Sequence, residues 1–261
     1  MPEGRTDQVQ GVIRKATRPR ITTALAPLHH FFATSVLPCP YVEGRFERKL
    51  VVELCGCDAP AFYNDLSRAG FRRSHSLAYR PACAGCASCV PVRIPVADFV
   101  ESRSLRRIRN LNRDLGASVT TARADHDQFR LFQRYQHSRH AESDMAAMSY
   151  GDYRAMVEDT PLTTALVRLR DRAGDGALRG ACLTDLLDDG VSAVYSFYDP
   201  AEAKRGLGTL LILSLVDEAR RRRLPFVYLG YWIAESPKMA YKARFRPLEA
   251  LRPEGWQRIF S

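Results

Sequence analysis

Cys83-Ala84-Gly85-Cys86-Ala87-Ser88-Cys89 places three thiols at the two-residue spacing that Zn2+ and Fe–S clusters use, with Cys39 or the Cys55/Cys57 pair as a fourth donor. No His pair completes such a set, so the competing reading is a Cys-lined loop without metal, and no cofactor is required. A second group is the turn Arg205-Gly206-Leu207-Gly208-Thr209, which opens an apolar helical run. Free amides and the positive dipole end at a helix N-terminus favour a phosphate or a developing oxyanion. The third group is cationic: Arg103, Arg106, Arg107, Arg109 and Arg113 recur along one helical stretch and can track phosphates. Arg220 to Arg223 is a weaker candidate, because cations at a helix C-terminus already favour their own dipole. His137 and His140 lack the intervening Glu of a zinc helix, so His140 reads as structural or substrate-positioning.

These groups need elements to hold them. Arg48 to Leu54 predicts a strand, and Ala59 to Ala69 a helix stopped by Gly70. His75 to Arg80 and Val90 to Val96 predict extended segments that Pro81, Pro91 and Pro95 keep from becoming helix. Leu105, Ile108, Leu111 and Leu115 put one amphipathic helix over Ser102 to Leu115. The expectation is a basic arm over residues 1–20, then an N-terminal α/β unit over 21–115.

Beyond it come a strand at Ala117 to Ala122, a helix from Asp125 to His140, and β-rich runs at Leu162 to Arg172, Leu178 to Leu187 and Val191 to Tyr198. Gly174-Asp175-Gly176 and Asp188-Asp189-Gly190 separate these runs, so they predict an antiparallel meander. The Gly turn, a helix to Arg223, a strand at Pro225 to Ile233 and a helix at Pro237 to Arg244 follow. This order is that of the GNAT acyltransferase fold. The expected class is α/β (α+β), a GNAT-like acyltransferase domain over 116–261 preceded by a smaller α/β domain. Coenzyme A users of that fold carry Gln or Arg three residues before the first Gly; Ala203 here argues against coenzyme A.

Net charge narrows the partner. Lys and Arg total 39 against 29 Asp and Glu, a surplus of +10 that favours a polyanion. Of those 39 cations, 34 are Arg, the better bidentate reader of phosphate and carboxylate. The first twenty residues lack an apolar signal region, and the run Leu207 to Val216 is far short of the roughly 18 residues that span a bilayer. Seven Cys at this length do not form a small secreted disulfide framework. The chain therefore reads as soluble and cytoplasmic, with no membrane partner.

Several ordered segments carry a further signal: Cys39-Pro40-Tyr41-Val42-Glu43-Gly44-Arg45, Leu66 to Ser74, Ala78-Tyr79-Arg80-Pro81-Ala82-Cys83 through Arg93, Tyr195 to Pro200, and Tyr228 to Ile233 with Lys238 to Lys242. In these the chain resembles the arginyl-tRNA protein transferases, particularly their bacterial branch of aspartate/glutamate leucyltransferases. It departs from the pattern at Gly206, where Ser is expected, and at His75, where a Gln-like residue is expected. The resemblance implies transfer of an aminoacyl group, leucine favoured, from charged tRNA to the α-amine of proteins beginning with Asp or Glu, which marks them for degradation. The implied partners are aminoacyl-tRNA and acidic N-termini.

On that footing Arg205, Gly206, Leu207, Gly208 and Thr209, with Lys238, Lys242, Arg106, Arg107 and Arg109, are expected to bind the aminoacyl-tRNA. Tyr241 is placed to protonate the leaving ribose oxygen, with packing as its alternative role. Asp199 or Glu53 is expected to meet the acceptor ammonium, and Arg80 and Arg93 to grip the acidic side chain as a fork. Phe197, Leu207, Leu210, Leu229 and Trp232 outweigh Asp185, Asp199 and Glu235 as lining, which favours leucine over arginine. An arginyl donor and a non-catalytic RNA-binding protein on the same scaffold remain as alternatives. Ala203 disfavours a small-molecule N-acetyltransferase.

Overall fold

The computed structural model describes residues 29–260, so the basic arm read over residues 1–20 lies outside the described residues. Strands β1 (Phe31–Ala33), β2 (Leu37–Pro38), β3 (Phe46–Glu47) and β4 (Lys49–Glu53) lead into helix α1 (Ala59–Arg68), then β5 (Arg72–Ser74), β6 (Leu77–Pro81) and β7 (Val90–Pro95). Next come α2 (Arg103–Leu111), β8 (Leu115–Thr121), α3 (His126–Arg139), α4 (Tyr150–Glu158), β9 (Thr164–Asp171), β10 (Leu178–Leu186) and β11 (Gly190–Tyr198). The chain closes with α5 (Leu207–Arg222), β12 (Phe226–Trp232), α6 (Pro237–Ala240), β13 (Leu248–Arg252) and β14 (Gly255–Phe260).

Two main sheets result: a small one in the order β1-β4-β6-β5 and a large one in the order β14-β13-β7-β12-β11-β10-β9-β8. The antiparallel meander β8 to β11, the parallel pair β11 and β12, and α5 crossing between them make a GNAT-like acyltransferase layer behind a smaller α/β unit. The segment read as N-terminal gives its last strand, β7, to the large sheet between β12 and β13, and packs α2 on α5. A run of apolar residues with no polar face explains α5, whose Leu210 to Val216 are all buried under the sheet.

The predicted helix over Ser102 to Leu115 ends early, at Leu111. Asn112 stops it, because its side-chain amide donates to the Ile108 and Arg205 carbonyls at 2.8 and 2.9 Å, and the chain turns into β8. Helix α4 was not expected from periodicity; a capping box between Ser149 and Asp152 starts it. The hairpin of β13 and β14 was also unforeseen. The two main sheets are joined by a fully buried ion pair, in which Arg73 of β5 donates to Asp185 of β10 at 2.8 and 3.0 Å.

Candidate active site

Strands β11 and β12 pair only from Gly190 to Ser192 with Phe226 to Tyr228, although both run several residues further. Beyond Ser192 they splay into a V. A bulge in β11 leaves Val194 opposite no residue of β10 and bends the strand there. Strands that part in this way leave main-chain groups unladdered in a cleft, which is where an acyl carbonyl can be gripped.

The narrow end of the V holds Arg72, carried in from β5. Its guanidinium donates to Ser192 Oγ at 2.8 Å and to the Ala193 carbonyl. Gly230 of β12, at φ +74°, makes room for it: a Cβ there would lie 2.8 Å from Arg72 Nε. Lys242 enters from the other side and donates to the Tyr231 carbonyl and to Met239 Sδ. It is 5% exposed, and burial, followed by the Arg72 charge, pulls its amine down to about 7. Tyr241 sits beside it with 38% of its surface exposed. Enough protein surrounds the ring that burial, then Cys182 and Tyr198, push its hydroxyl up to about 12.

The expected site residues scatter around this cleft. At the N-terminus of α5, Gly206 takes a left-handed turn at φ +68° and Thr209 N is already bonded to the Gly206 carbonyl, so the turn offers fewer amides than expected. Leu207 is buried, and the Tyr198 ring fills the space over Gly208. Arg205 is tied to Asn112 and Asp114. Asp199 caps Ala201 N at 3.1 Å and meets Arg179 and Arg134 at 3.4 and 3.7 Å, which occupies the carboxylate expected to receive the acceptor amine. Lys238 is exposed, and with Arg139 it adds to burial in holding the His140 imidazole low. Lys242 is a buried amine and cannot serve as the expected phosphate contact.

Among the basic-helix residues, Arg106 and Arg107 are exposed, whereas Arg109 bridges Glu101 and Asp217 across α2 and α5. Arg220 donates to the Phe99 carbonyl, and Arg221 and Arg222 pair with Glu218. Arg93 is closed off: it bonds Glu249 at 2.8 Å and Tyr228 at 3.2 Å, and its guanidinium lies 3.4 Å from the centre of the Phe226 ring and 4.3 Å from that of Trp256. A second carboxylate has no place there. Arg80 is exposed and donates to the Ala69 carbonyl, and Glu53 is exposed at the end of β4. Phe197, Leu207, Leu210 and Leu229 are each 7% exposed or less and belong to two separate packed cores, so they do not line a leucine pocket; Trp232 packs on Phe260.

Comparison with known proteins places the chain in a family. The family profile described as "Arginine-tRNA-protein transferase, N terminus" matches residues 37–107, and "Arginine-tRNA-protein transferase, C terminus" matches 127–252. Curated relatives called aspartate/glutamate leucyltransferase are 61% identical over 231 residues in Paramagnetospirillum magneticum and 54% over 229 in Rhodospirillum rubrum. The matches cover 88% and 87% of this chain and 94% and 92% of those proteins. The chain belongs to the arginine-tRNA-protein transferase family. Among solved structures, L-PGS from Bacillus licheniformis overlays with a TM-score of 0.45 at 11% identity, covering 70% of this chain and 52% of that one.

In this transferase the four Cys of the sequence reading, Cys39, Cys83, Cys86 and Cys89, line one opening with Tyr41, Tyr79 and Tyr231. Hydrogen bonds from Ser88, and further from Arg45, hold the Cys86 thiol low, while burial pushes Cys89 up to about 12. Among the described residues no three Cys, His, Asp or Glu side chains converge as metal ligands. Arg72 was the residue that spacing did not reveal. The sequence signal that could have pointed to it is Gly230, an isolated glycine inside a strand, which marks a close approach by another group.

Proposed function

We propose that this transferase moves leucine from leucyl-tRNA to the α-amine of proteins that begin with Asp or Glu. The observation that carries the reaction class is the V between β11 and β12, with Lys242 and Tyr241 in it and Arg72 at its narrow end. The donor and acceptor follow the name of the relatives that match nearly their full length.

The reaction is ester aminolysis. The acceptor amine attacks the ester carbonyl carbon, the bond from that carbon to the ribose oxygen breaks, an amide forms, and the amine proton replaces the acyl group on ribose. No ATP is consumed. An α-amine titrates near 7.7 to 8.0, so about a tenth is neutral at pH 7, and a base of similar pKa suffices. Lys242, lowered to about 7, takes the amine proton; Tyr241, raised to about 12, stays protonated and gives its proton to the ribose oxygen. Positioning amine against ester supplies most of the acceleration, up to roughly 7 to 11 kcal/mol. Asp199, held by a cap and two arginines, shapes the turn before α5. The tRNA approaches over exposed Arg106, Arg107 and Lys238.

The test is transfer of radiolabelled leucine from leucyl-tRNA onto peptides that differ only in their first residue, with arginyl-tRNA as competitor. Leucine incorporation confined to Asp- and Glu-starting peptides is the expected result. Preferential arginine incorporation would move the donor assignment to the arginyl branch, and absence of any transfer with intact RNA binding would make the chain a non-catalytic RNA binder.

A further inference from the structure

Among the described residues three half-buried arginines pair with no carboxylate, Arg72, Arg168 and Arg170, and of these Arg72 is the one bonded at the narrow end of the V. Arg73, Arg93, Arg109 and Arg179 each meet a carboxylate, on Asp185, Glu249, Asp217 and Asp171 respectively. Among the described residues Arg72 forms no ion pair. Its two hydrogen bonds go to neutral groups, Ser192 Oγ and the Ala193 carbonyl, and a guanidinium has five N–H donors. Three donors therefore remain on a half-buried cation that is held in plane from one side and fenced by Gly230 from the other. A fixed, unpaired fork is the geometry that reads a carboxylate.

Its place in the fold selects which carboxylate. Arg72 lies between splayed strands in the same cleft as Lys242 and Tyr241, and its charge acts on both. An RNA backbone cannot follow it between two strands. A side chain one or two methylenes long, hanging from the residue whose α-amine is reacting, can.

We infer that Arg72 is the residue that recognises the acidic side chain of the acceptor's first residue, and so sets the enzyme's choice of substrate. This inference rests on the transferase reading above and replaces Arg93, which is closed, and Arg80, which lies outside the V, in that role. The buried pair Arg73 and Asp185, on the next residue of β5, anchors the strand that carries it.

The experiment compares kcat/KM for peptides starting with Asp and with Asn in the wild-type protein and in Arg72→Ala, Arg72→Lys and Gly230→Ala. Asn has the shape of Asp without its charge. The wild type should prefer Asp by about 100-fold or more, since a site built for a polar group rejects the analogue that lacks it. Arg72→Ala should bring the ratio to within a few-fold of one, mainly through a rise in KM for the Asp peptide. Arg72→Lys, which keeps the charge but not the fork, should recover only part of it. If Arg72→Ala does not fold, Arg72→Lys and Gly230→Ala decide, because Gly230→Ala crowds the fork without removing it. A ratio that stays at the wild-type value while both peptides lose rate equally would overturn the inference and put Arg72 on the ester oxyanion. A wild type without preference between Asp and Asn would overturn it too. Should the donor prove to be arginine, the donor assignment fails while the Asp-to-Asn ratio still judges Arg72.

Discussion

The two edges of β12 are built from the same kind of chain and do opposite work. Along one edge β7 pairs with β12 from Phe226 to Trp232, and Arg93 is sealed there by Glu249, Tyr228 and two aromatic rings. Along the other, β11 pairs for three residues and then leaves, and Arg72 stands in the gap against neutral partners. The closed edge spends its cation on stability. The open edge leaves its cation without a carboxylate partner, beside the buried, lowered amine of Lys242.

The sharpest way to break this comparison is Lys242→Met, which preserves the apolar stem and removes the amine. We expect kcat to fall by about 10²- to 10⁴-fold, the usual worth of a proton acceptor, without loss of stability near pH 7. The same variant checks a pH dependence. In the unfolded chain this amine holds its proton up to about 10.5, whereas in the fold it releases it near 7. Across that window the unfolded chain binds more protons, so the group makes stability rise with pH from about 7 to 10.5. Denaturation midpoints across that range should climb in the wild type relative to Lys242→Met, and parallel curves would contradict the lowered amine.

On the closed edge, Arg93→Ala should cost about 2 to 4 kcal/mol in urea denaturation, because Glu249 loses its partner and two rings lose their cation. Its Asp-to-Asn substrate ratio should match the wild type. A collapse of that ratio would return substrate reading to Arg93 and erase the distinction between the edges.

Tyr241→Phe should have a smaller effect, about tenfold in kcat with little change in KM, measured under single-turnover conditions. A loss of stability instead would make Tyr241 a packing residue. The smallest expected change concerns the surface. Arg106→Ala with Arg107→Ala should reduce the slope of log tRNA affinity against log salt by about one to two, since each exposed cation displaces at most one counterion. Arg109→Ala should leave the slope nearly intact, because Arg109 already pairs with Glu101 and Asp217.

Local signals carried much of this protein. Period-two runs between glycine turns predicted β9, β10 and β11 close to their observed ends, and the unbroken apolar run after Gly206 predicted α5, because those patterns depend only on side-chain direction along a strand or helix.

Only the tertiary structure decided which cations are free. Arg72 and Arg73 are adjacent and chemically identical, yet alternate residues of a strand face opposite ways, so one meets Asp185 in a sealed core and the other enters the V. Arg93 looked available until Glu249, from a hairpin more than 150 residues away in sequence, closed over it. Lys242 looked like a phosphate contact until burial made it a near-neutral amine. Sequence specifies the charge a residue carries; the partner, and the water removed from around it, are set by segments distant in the chain.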